Sequence, residues 1–398
     1  MVSKLKTYKY INMENEVPRY FCLQQNLFLL SWILFLEKDT LNPVVVRSKL
    51  DKFALRLMQN VKNRVKFFKK NLIFILVFAR YKYGLRDNDS FVQVPIYGHM
   101  CIQVHKGYKV FNYRKRSVVK IFNKDVDKYD IIDEIKHLKE ISQLDFASSL
   151  RGWNIDERWY EEDFINGSLE ASYKPLDSKS LLEKYNNIIL HHMNSLVETK
   201  QPIKKKVLKY VKEIEYLLDA RRLQDLEMNE TDLKNIRDFL FRITRSVNTM
   251  SDSSVFLVFS HGDFCPANML NTRHGIRVID WENSKYRSVL FDFYSYFFYR
   301  PVCRDVSAYT TVLEIAQALP SFIIKMSEYR PDISNSLLSG NDIYRWLYYI
   351  EEICKLMERS VTDTRLDIAD FILRYINAFY QYEQYMSSES DKLTQIEN

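Results

Sequence analysis

The sequence has few of the residues that break or cross-link a chain: 8 glycines, 9 prolines and 5 cysteines among 398 residues. So few glycines and prolines disfavour collagen-like, linker-rich and all-β designs. The cysteines are scattered and odd in number, with no Cys-x-x-Cys pair, and the seven histidines show no ligand spacing. We therefore expect neither a disulfide framework nor a zinc site, as is typical of a protein kept in a reducing compartment.

The sequence also lacks an uninterrupted apolar run of the about 18 residues needed to span a bilayer. The longest apolar stretches are LFLLSWILFL at residues 27–36 and LIFILVFA at residues 72–79. The first lies too far into the chain for a secretory signal and has no small-residue cleavage site. A composition of 46% hydrophobic and 27% charged residues predicts a folded chain with a large core. We expect a cytoplasmic protein.

Positive charge is concentrated in the first 90 residues, which hold 17 lysines and arginines against 7 acidic residues. Between residues 47 and 70, apolar residues recur every three or four positions with basic residues between them, which predicts a basic amphipathic helix. We interpret residues 1–90 as a basic helical accessory segment. Two hypotheses remain for this helix. Its apolar stripe packs against the next domain, which is the commoner arrangement, or residues 47–80 make peripheral contact with an anionic membrane at its inner face. Nucleic-acid binding is not expected, because the lysines alternate with a helical apolar stripe and not with exposed aromatic side chains.

A change of period indicates β-structure in residues 92–122, where three β-rich runs separated by HKG and RKR predict a meander of antiparallel strands. Lys120 lies in the last run between apolar neighbours. An ammonium group there is costly unless it meets an anion, such as the phosphates of a nucleotide, or reaches water at a sheet edge. In the following helix, capped by Asp125 or Asp127, Glu134 shares the apolar face. This placement suggests a Lys120–Glu134 ion pair, with exposure of Glu134 as the alternative.

The second half of the chain is mostly helical in pattern. We predict helices at residues 178–198, 203–222 and 230–250, and further helices over residues 287–300 and 305–386. The polar tail is expected to be disordered. The predicted organisation is an accessory segment (1–90), a β-rich nucleotide-binding lobe (91–166), a helical catalytic and acceptor lobe (167–386) and the tail (387–398).

The chemistry is carried by residues 260–282, SHGDFCPANMLNTRHGIRVIDWE. Asp263 precedes Asn268 by five positions, and Asp280 follows after a turn and a short apolar strand. The turn between MLN and IRVI has the composition of a hairpin, which would bring Asn268 and Asp280 back together. Phosphoryl transfer from a nucleotide needs one carboxylate for the acceptor hydroxyl, and an amide and a second carboxylate for metal ions on the phosphates.

Through HGDFCPANML and VIDWE, this stretch resembles the catalytic and metal-binding segments of the aminoglycoside phosphotransferase and choline kinase-like family. The resemblance is most specific over residues 258–292 and extends more weakly from residue 92 to residue 380. It implies an α+β, two-lobed protein-kinase-like fold, with a small antiparallel β-rich N-lobe and a large helical C-lobe. The helical N-terminal segment would be an addition to that fold.

The resemblance also implies roles for individual residues. Asp263 matches the catalytic aspartate, which orients the acceptor hydroxyl and accepts its proton. Asn268 and Asp280 match the residues that bind metal and, through it, the nucleotide. Lys120 and Glu134 match the strand lysine and helix glutamate of the nucleotide-binding lobe.

Two further matches are structural: His261 and Asp292 correspond to residues that support the catalytic loop. The phosphate-binding loop departs from the pattern of protein kinases, because no GxGxxG stands between the first two strands. The phosphates would then be covered by a short loop or by side chains such as Lys106 or Lys109.

Two departures favour a small acceptor. Cys265 stands where serine/threonine protein kinases carry lysine, and Trp281-Glu282 replaces the Phe-Gly that follows their metal-binding aspartate. We expect an ATP- and Mg²⁺-dependent phosphotransferase that moves the γ-phosphate to a hydroxyl of a small molecule or sugar. One alternative is a catalytically silent kinase-like scaffold, which the missing glycine loop would suit. Another is a kinase for a membrane-associated, lipid-linked sugar, which the basic segment would suit.

Overall fold

The computed structural model describes residues 6–11, 19–22, 30, 79, 91–104, 106–169, 186, 188–190, 197–219, 229–249, 254–303, 306–360 and 368–396. The chain divides into two compact units. The first comprises Met1–Ser168 with Leu270–Val278, and the second comprises Leu169–Met269 with Ile279–Asn398. An antiparallel sheet dominates the first unit and helices dominate the second, which confirms the α+β prediction. None of the helices in these described ranges is long and apolar enough to cross a membrane.

An eight-stranded antiparallel sheet forms most of the first unit. Its strands are β1 (Lys6–Ile11), β2 (Arg19–Phe21), β3 (Phe91–Val94), β4 (Met100–Val104), β5 (Gly107–Asn112), β6 (Ser117–Phe122), β7 (Leu150–Asn154) and β8 (Trp159–Asp163). They lie in the order β3-β1-β2-β4-β5-β6-β8-β7. The predicted meander is present as β4, β5 and β6. The first β-rich run is split, and its leading part, β3, pairs with β1.

The two N-terminal strands correct the prediction that residues 1–90 are helical. Strand β1 has the sequence KTYKYI. Its Tyr8 is fully buried, and the hydroxyl accepts a hydrogen bond from the backbone N–H of Gly98 at 2.7 Å. Tyr8 and Cys22 join a core cluster with Val110 of the meander. These strands are therefore part of the first unit, and the amphipathic helix predicted at residues 47–70 lies outside the described residues.

Helix α1 (Lys128–Ile141) follows the meander as predicted. The side chain of Asp127, and not that of Asp125, caps it by accepting a hydrogen bond from the backbone N–H of Tyr129 at 2.8 Å. Glu134 lies on the buried face, so the alternative that it is exposed is excluded. Ile132, which belonged to the predicted apolar stripe, is instead 43% exposed.

The remaining strands are β9 (Ser168–Leu169), β10 (Val197–Pro202), β11 (Ser254–Ser260), β12 (Met269–Thr272), β13 (Gly275–Val278) and β14 (Lys285–Ser288). The predicted hairpin is present as β12 and β13, which are adjacent strands of one sheet. In the second unit, β10, β11 and β14 form an antiparallel sheet with β11 at its centre. Strand β10 replaces the end of the helix predicted at residues 178–198. Its terminal Pro202 is compatible with an edge strand, where a missing N–H donor is tolerated.

The other helices of the second unit are α2 (Ile203–Asp219), α3 (Glu230–Asn248), α4 (Phe291–Cys303), α5 (Ala308–Tyr329), α6 (Pro331–Ser360) and α7 (Ile368–Ile396). Aromatic rings pack between α4, α6 and α7; those of Tyr349 and Phe379 stack with centroids 4.1 Å apart. The predicted disordered tail is wrong up to residue 396, because α7 continues through it. The hydroxyl of Ser387 donates to the carbonyl of Glu383 at 2.9 Å, one turn back along this helix.

Candidate active site

The buried strand β11 ends at Ser260, directly before His261 and Gly262. Gly262 has φ +82°, a left-handed conformation that side chains other than glycine rarely adopt. A Cβ atom at this position would lie 2.1 Å from the carbonyl oxygen of Asn283. The loop after β11 therefore requires glycine for both its dihedral angles and its close backbone contact.

Asp263 and Asn268 are brought together at the end of this loop. The side-chain Nδ2 of Asn268 donates to the backbone carbonyl of Asp263 at 2.8 Å and lies 3.3 Å from its Oδ2. A single 3₁₀ turn, Pro266–Asn268, sets the spacing between them. Because the Nδ2 of Asn268 faces Asp263, the amide oxygen lies on the other side of the group.

Asp280 is placed next to Asn268 by the backbone. The N–H of Ile279 donates to the carbonyl of Asn268 at 2.9 Å. Asp280 then adopts φ 70° and ψ 55°, a left-handed conformation that aspartate adopts more readily than most residues with a Cβ. Asn268 and Asp280, the metal ligands predicted from the sequence, thus lie in adjacent segments of the second unit.

Asp292 and His261 stabilise the loop at residues 261–263 through hydrogen bonds to its backbone. The buried carboxylate of Asp292 accepts hydrogen bonds from the N–H groups of His261 at 2.7 Å and Gly262 at 3.0 Å. Burial raises the pKa of Asp292 above its usual value, while these hydrogen bonds act in the opposite direction. His261 accepts at Nδ1 from the N–H of Asp263, at 3.1 Å, and its Nε2 lies 2.8 Å from the carbonyl of Ile279. The Nδ1 contact of His261 therefore lies within the loop, and its Nε2 contact joins the loop to the segment that carries Asp280.

Sequence reasoning missed a second support, from helix α6. The buried Lys355, 5% exposed, donates to the carbonyl of Gly262 at 2.8 Å and forms an ion pair with Glu352 at 2.7 Å. Burial raises the pKa of the Glu352 carboxyl. Arg287 adds a hydrogen bond to the carbonyl of Asn283 at 2.9 Å. The only signal in the sequence is a charged pair within the apolar run of α6, which does not identify its partner 93 residues away.

In the first unit the predicted ion pair is present: Nζ of Lys120 lies 2.7 Å from Oε1 of Glu134. Lys120 is fully buried, and β6 lies between β5 and β8, so the alternative of an edge lysine reaching water is excluded. Tyr160 donates to the same Glu134 oxygen at 3.0 Å. Lys109 of β5 lies directly opposite Lys120 and is also buried, so two ammonium groups share one face of the sheet. Lys106, the other candidate for covering the phosphates, forms an ion pair with Asp130 at 3.0 Å.

The predicted residues thus form two groups, one in each unit. The first unit holds Lys120 and Glu134, and the second holds the catalytic, metal-binding and supporting candidates: His261, Asp263, Asn268, Asp280 and Asp292.

Comparison with known proteins gives three results. The family model described as choline/ethanolamine kinase matches residues 101–311. Curated proteins give no match. Among solved structures, the chain is similar to choline kinase from Cryptosporidium parvum Iowa II (14% identity, 73% of this chain and 90% of that chain, TM-score 0.48). It is also similar to choline kinase from Streptococcus pneumoniae (18%, 70% and 90%, TM-score 0.44) and to ethanolamine kinase from Plasmodium vivax (14%, 83% and 94%, TM-score 0.45).

Proposed function

The chain belongs to the choline/ethanolamine kinase family and is a small-molecule kinase, and from this premise we propose that it transfers the γ-phosphate of ATP to the hydroxyl of a small amino alcohol. The name of the family supports choline and ethanolamine as the first acceptors to test. The observation that carries the proposal is the loop that holds Asp263 against Asn268, with Asp280 in the adjoining segment.

Asp263 is the proposed base. Its carboxylate orients the acceptor hydroxyl and takes the proton as the acceptor oxygen bonds to the γ-phosphorus and the bond between that phosphorus and the β,γ-bridging oxygen breaks. The contacts from Asn268 and His261 fix the backbone on both sides of this side chain. A base held in this way needs little reorganisation when substrate arrives.

Asn268 and Asp280 are the proposed Mg²⁺ ligands. The donor set fits, because Mg²⁺ prefers hard oxygen ligands and one carboxylate with one amide oxygen is a sufficient contribution from protein. The hydrogen bonds from Nδ2 of Asn268 to Asp263 keep its amide nitrogen away from such a metal. When bound, Mg²⁺ would offset the negative charge of the phosphates.

Lys120 is the proposed contact for the α- and β-phosphates of ATP. Like charges opposite each other on a sheet repel, and Lys109 and Lys120 occupy such a pair of positions. Glu134 provides one carboxylate at this face. Two lysines on one face of the sheet favour an anion there, and this supports a phosphate contact for either lysine.

The test is turnover by the purified chain with ATP and Mg²⁺, offering choline, ethanolamine or glucosamine and detecting the phosphate ester by ³¹P NMR. We expect Asp263→Asn to lower kcat by about 10²–10⁴-fold, the range for loss of a general base. Asp238→Asn, at an exposed position of α3, is the matched control and should behave as wild type. Equal turnover by Asp263→Asn and wild type would refute the assignment of Asp263.

The scaffold alternative makes a different prediction. If no acceptor is phosphorylated and ATP with Mg²⁺ does not raise the unfolding temperature, a silent kinase-like protein is the better interpretation. Nucleotide-dependent stabilisation without turnover would instead indicate that the acceptor lies outside the three compounds offered. The stabilisation expected at 100 times the dissociation constant is about 2.7 kcal/mol.

A further inference from the structure

A basic cavity of about 550 Å³ lies in the second unit, at the junction of α2, β10 and β14. Three lysines of α2 and one of β14 line it: Lys205, Lys206, Lys209 and Lys285. Two glutamates, Glu213 and Glu358, are its acidic lining residues, so the lining is net positive. None of these residues belongs to the proposed phosphotransfer site.

The lysines in the first turn of α2 interact unfavourably with the helix dipole. Lys204, Lys205 and Lys206 follow one another there, and this turn contains no acidic residue. The N-terminus of a helix carries partial positive charge, so lysines are unfavourable at this end. A bound anion would offset both the repulsion among the lysines and the repulsion from the helix dipole.

Lys206 is a buried cation with one long ion pair and a cation–π contact, 5.1 Å from the ring centroid of Tyr210. It is 8% exposed, and the nearest carboxylate oxygen, Oε1 of Glu351, lies 3.7 Å away. That carboxylate also accepts hydrogen bonds from the N–H and hydroxyl of Ser288 and from the hydroxyl of Tyr210. Burial lowers the pKa of the Lys206 ammonium group. An ammonium group at this depth is costly unless an anion meets it closely.

A metal ion is a poorer occupant than an anion. The side chains of Glu213, Cys354 and Glu358 bring ligand atoms within 4.8 Å of one another beside the cavity. However, Nζ of Lys285 lies 2.7 Å from Oε2 of Glu358 and already places a cation there. The lysines of α2 would repel a divalent cation as well.

We propose that this cavity binds the phosphate group of an anionic ligand through Lys205, Lys206 and Lys209. The first turn of α2 adds its partial positive charge, and the cavity is large enough for more than one phosphate group. The lysine contacts need no metal ion, which separates this site from the one proposed at Asn268 and Asp280. The proposal does not rest on the phosphotransferase reaction.

Ligand binding in the cavity is expected to affect the loop that carries Asp263, because strand β14 connects the two through strand β11. Lys285 pairs with Ser260 in the register of β14 against β11, and the hydroxyl of Ser260 donates to the carbonyl of Lys285 at 3.1 Å. Ser260 is the residue before His261. We therefore expect the ligand to slow amide hydrogen exchange in β11 and β14 as well as in the first turns of α2.

The experiment is calorimetric titration of the full chain with inorganic pyrophosphate in the presence of EDTA, which suppresses metal-dependent binding elsewhere. Lys205→Gln/Lys209→Gln removes two exposed lysines of the cavity, so folding should be preserved. Each lost lysine should raise Kd about tenfold, as expected for a charge-assisted contact. Lys212→Gln/Lys234→Gln, at exposed positions outside the cavity, changes the net charge equally and should bind as wild type.

A soluble phosphate and a lipid headgroup offer the same chemistry, so a second arm measures co-sedimentation with phosphatidylcholine vesicles with and without phosphatidic acid. Pyrophosphate binding that the cavity variant loses and the control retains supports a soluble ligand. Binding only to phosphatidic-acid vesicles, with the same variant pattern, supports a lipid-borne phosphate. Binding to neither probe, or binding unaffected by the cavity variant, overturns the proposal.

Discussion

The substitution Gly262→Ala directly tests the geometry of the loop that carries Asp263. The alanine would have to adopt φ +82° and would place Cβ 2.1 Å from the carbonyl oxygen of Asn283. A normal carbon–oxygen contact is about 3.3 Å, so one of the two segments must move by about 1 Å. Asp263 follows immediately in the chain, and its position is expected to change with this movement.

Two costs follow from this contact, and they can be separated. The left-handed conformation costs alanine about 1–2 kcal/mol relative to glycine. The steric overlap adds about 1–3 kcal/mol, as for other overpacked sites. A displacement of about 1 Å at a catalytic group lowers turnover by about 10²-fold. Gly262→Ala should therefore lose both stability and activity.

Gly275→Ala is the matched control. Gly275 also has positive φ, +100°, but its Cβ would meet nothing within 4 Å. This variant should have only the conformational cost, and its turnover should match wild type. The assay is kcat for ATP and the accepted amino alcohol, with thermal unfolding of each variant measured in parallel. If Gly262→Ala and Gly275→Ala showed the same kcat and the same unfolding temperature, the close contact between the loop and residue 283 would be wrong.

Three further predictions address buried charges. Lys120→Met and Glu134→Gln should each destabilise the fold by about 3–5 kcal/mol, because each removes one charge of a buried ion pair. The double variant should cost less than the sum, and strict additivity in a denaturation cycle would contradict the pairing. Burial holds the pKa of His99 at about 4, against about 6.5 in an unfolded chain. Between pH 6.5 and pH 4 the unfolded chain therefore binds more protons than the folded chain. The roughly 3 kcal/mol that His99 contributes to the free energy of unfolding above pH 6.5 is lost as the pH falls towards 4. His99→Phe should flatten this part of the curve of unfolding temperature against pH, and an unchanged slope would exclude His99 as its source. Lys355→Met should lower the unfolding temperature and kcat together, because the carbonyl of Gly262 loses its donor; loss of stability with wild-type kcat would exclude a positioning role.

Local sequence predicted much of the candidate site. Asp263, Asn268 and Asp280 fall within 18 positions, so a short loop and one hairpin are enough to bring their segments together. Lys120 and Glu134 were identified because a charged residue in an apolar strand and another on an apolar helix face each need a partner. Their ion pair is present, while the roles of all five residues in the reaction stay predictions for the variants above.

Several parts of the fold were not predictable from local pattern. The strand at residues 6–11 is stabilised by pairing with β2 and β3 and by the hydrogen bonds of the Tyr8 hydroxyl. Strand β10 depends on pairing with β11. The continuation of α7 to Ile396 depends on propagation from a helix that is already packed.

The sequence by itself identified the stretch at residues 260–282, the meander and the start of α1 near Asp125 and Asp127, because periodicity, turn composition and capping act over a few residues. Only the tertiary structure decided that the N-terminal strands complete the sheet, that Lys355 holds the carbonyl of Gly262 and that lysines of α2 and β14 line one cavity. Those contacts join residues far apart in the chain. Their energies depend on burial and charge pairing that exist only once the chain has folded.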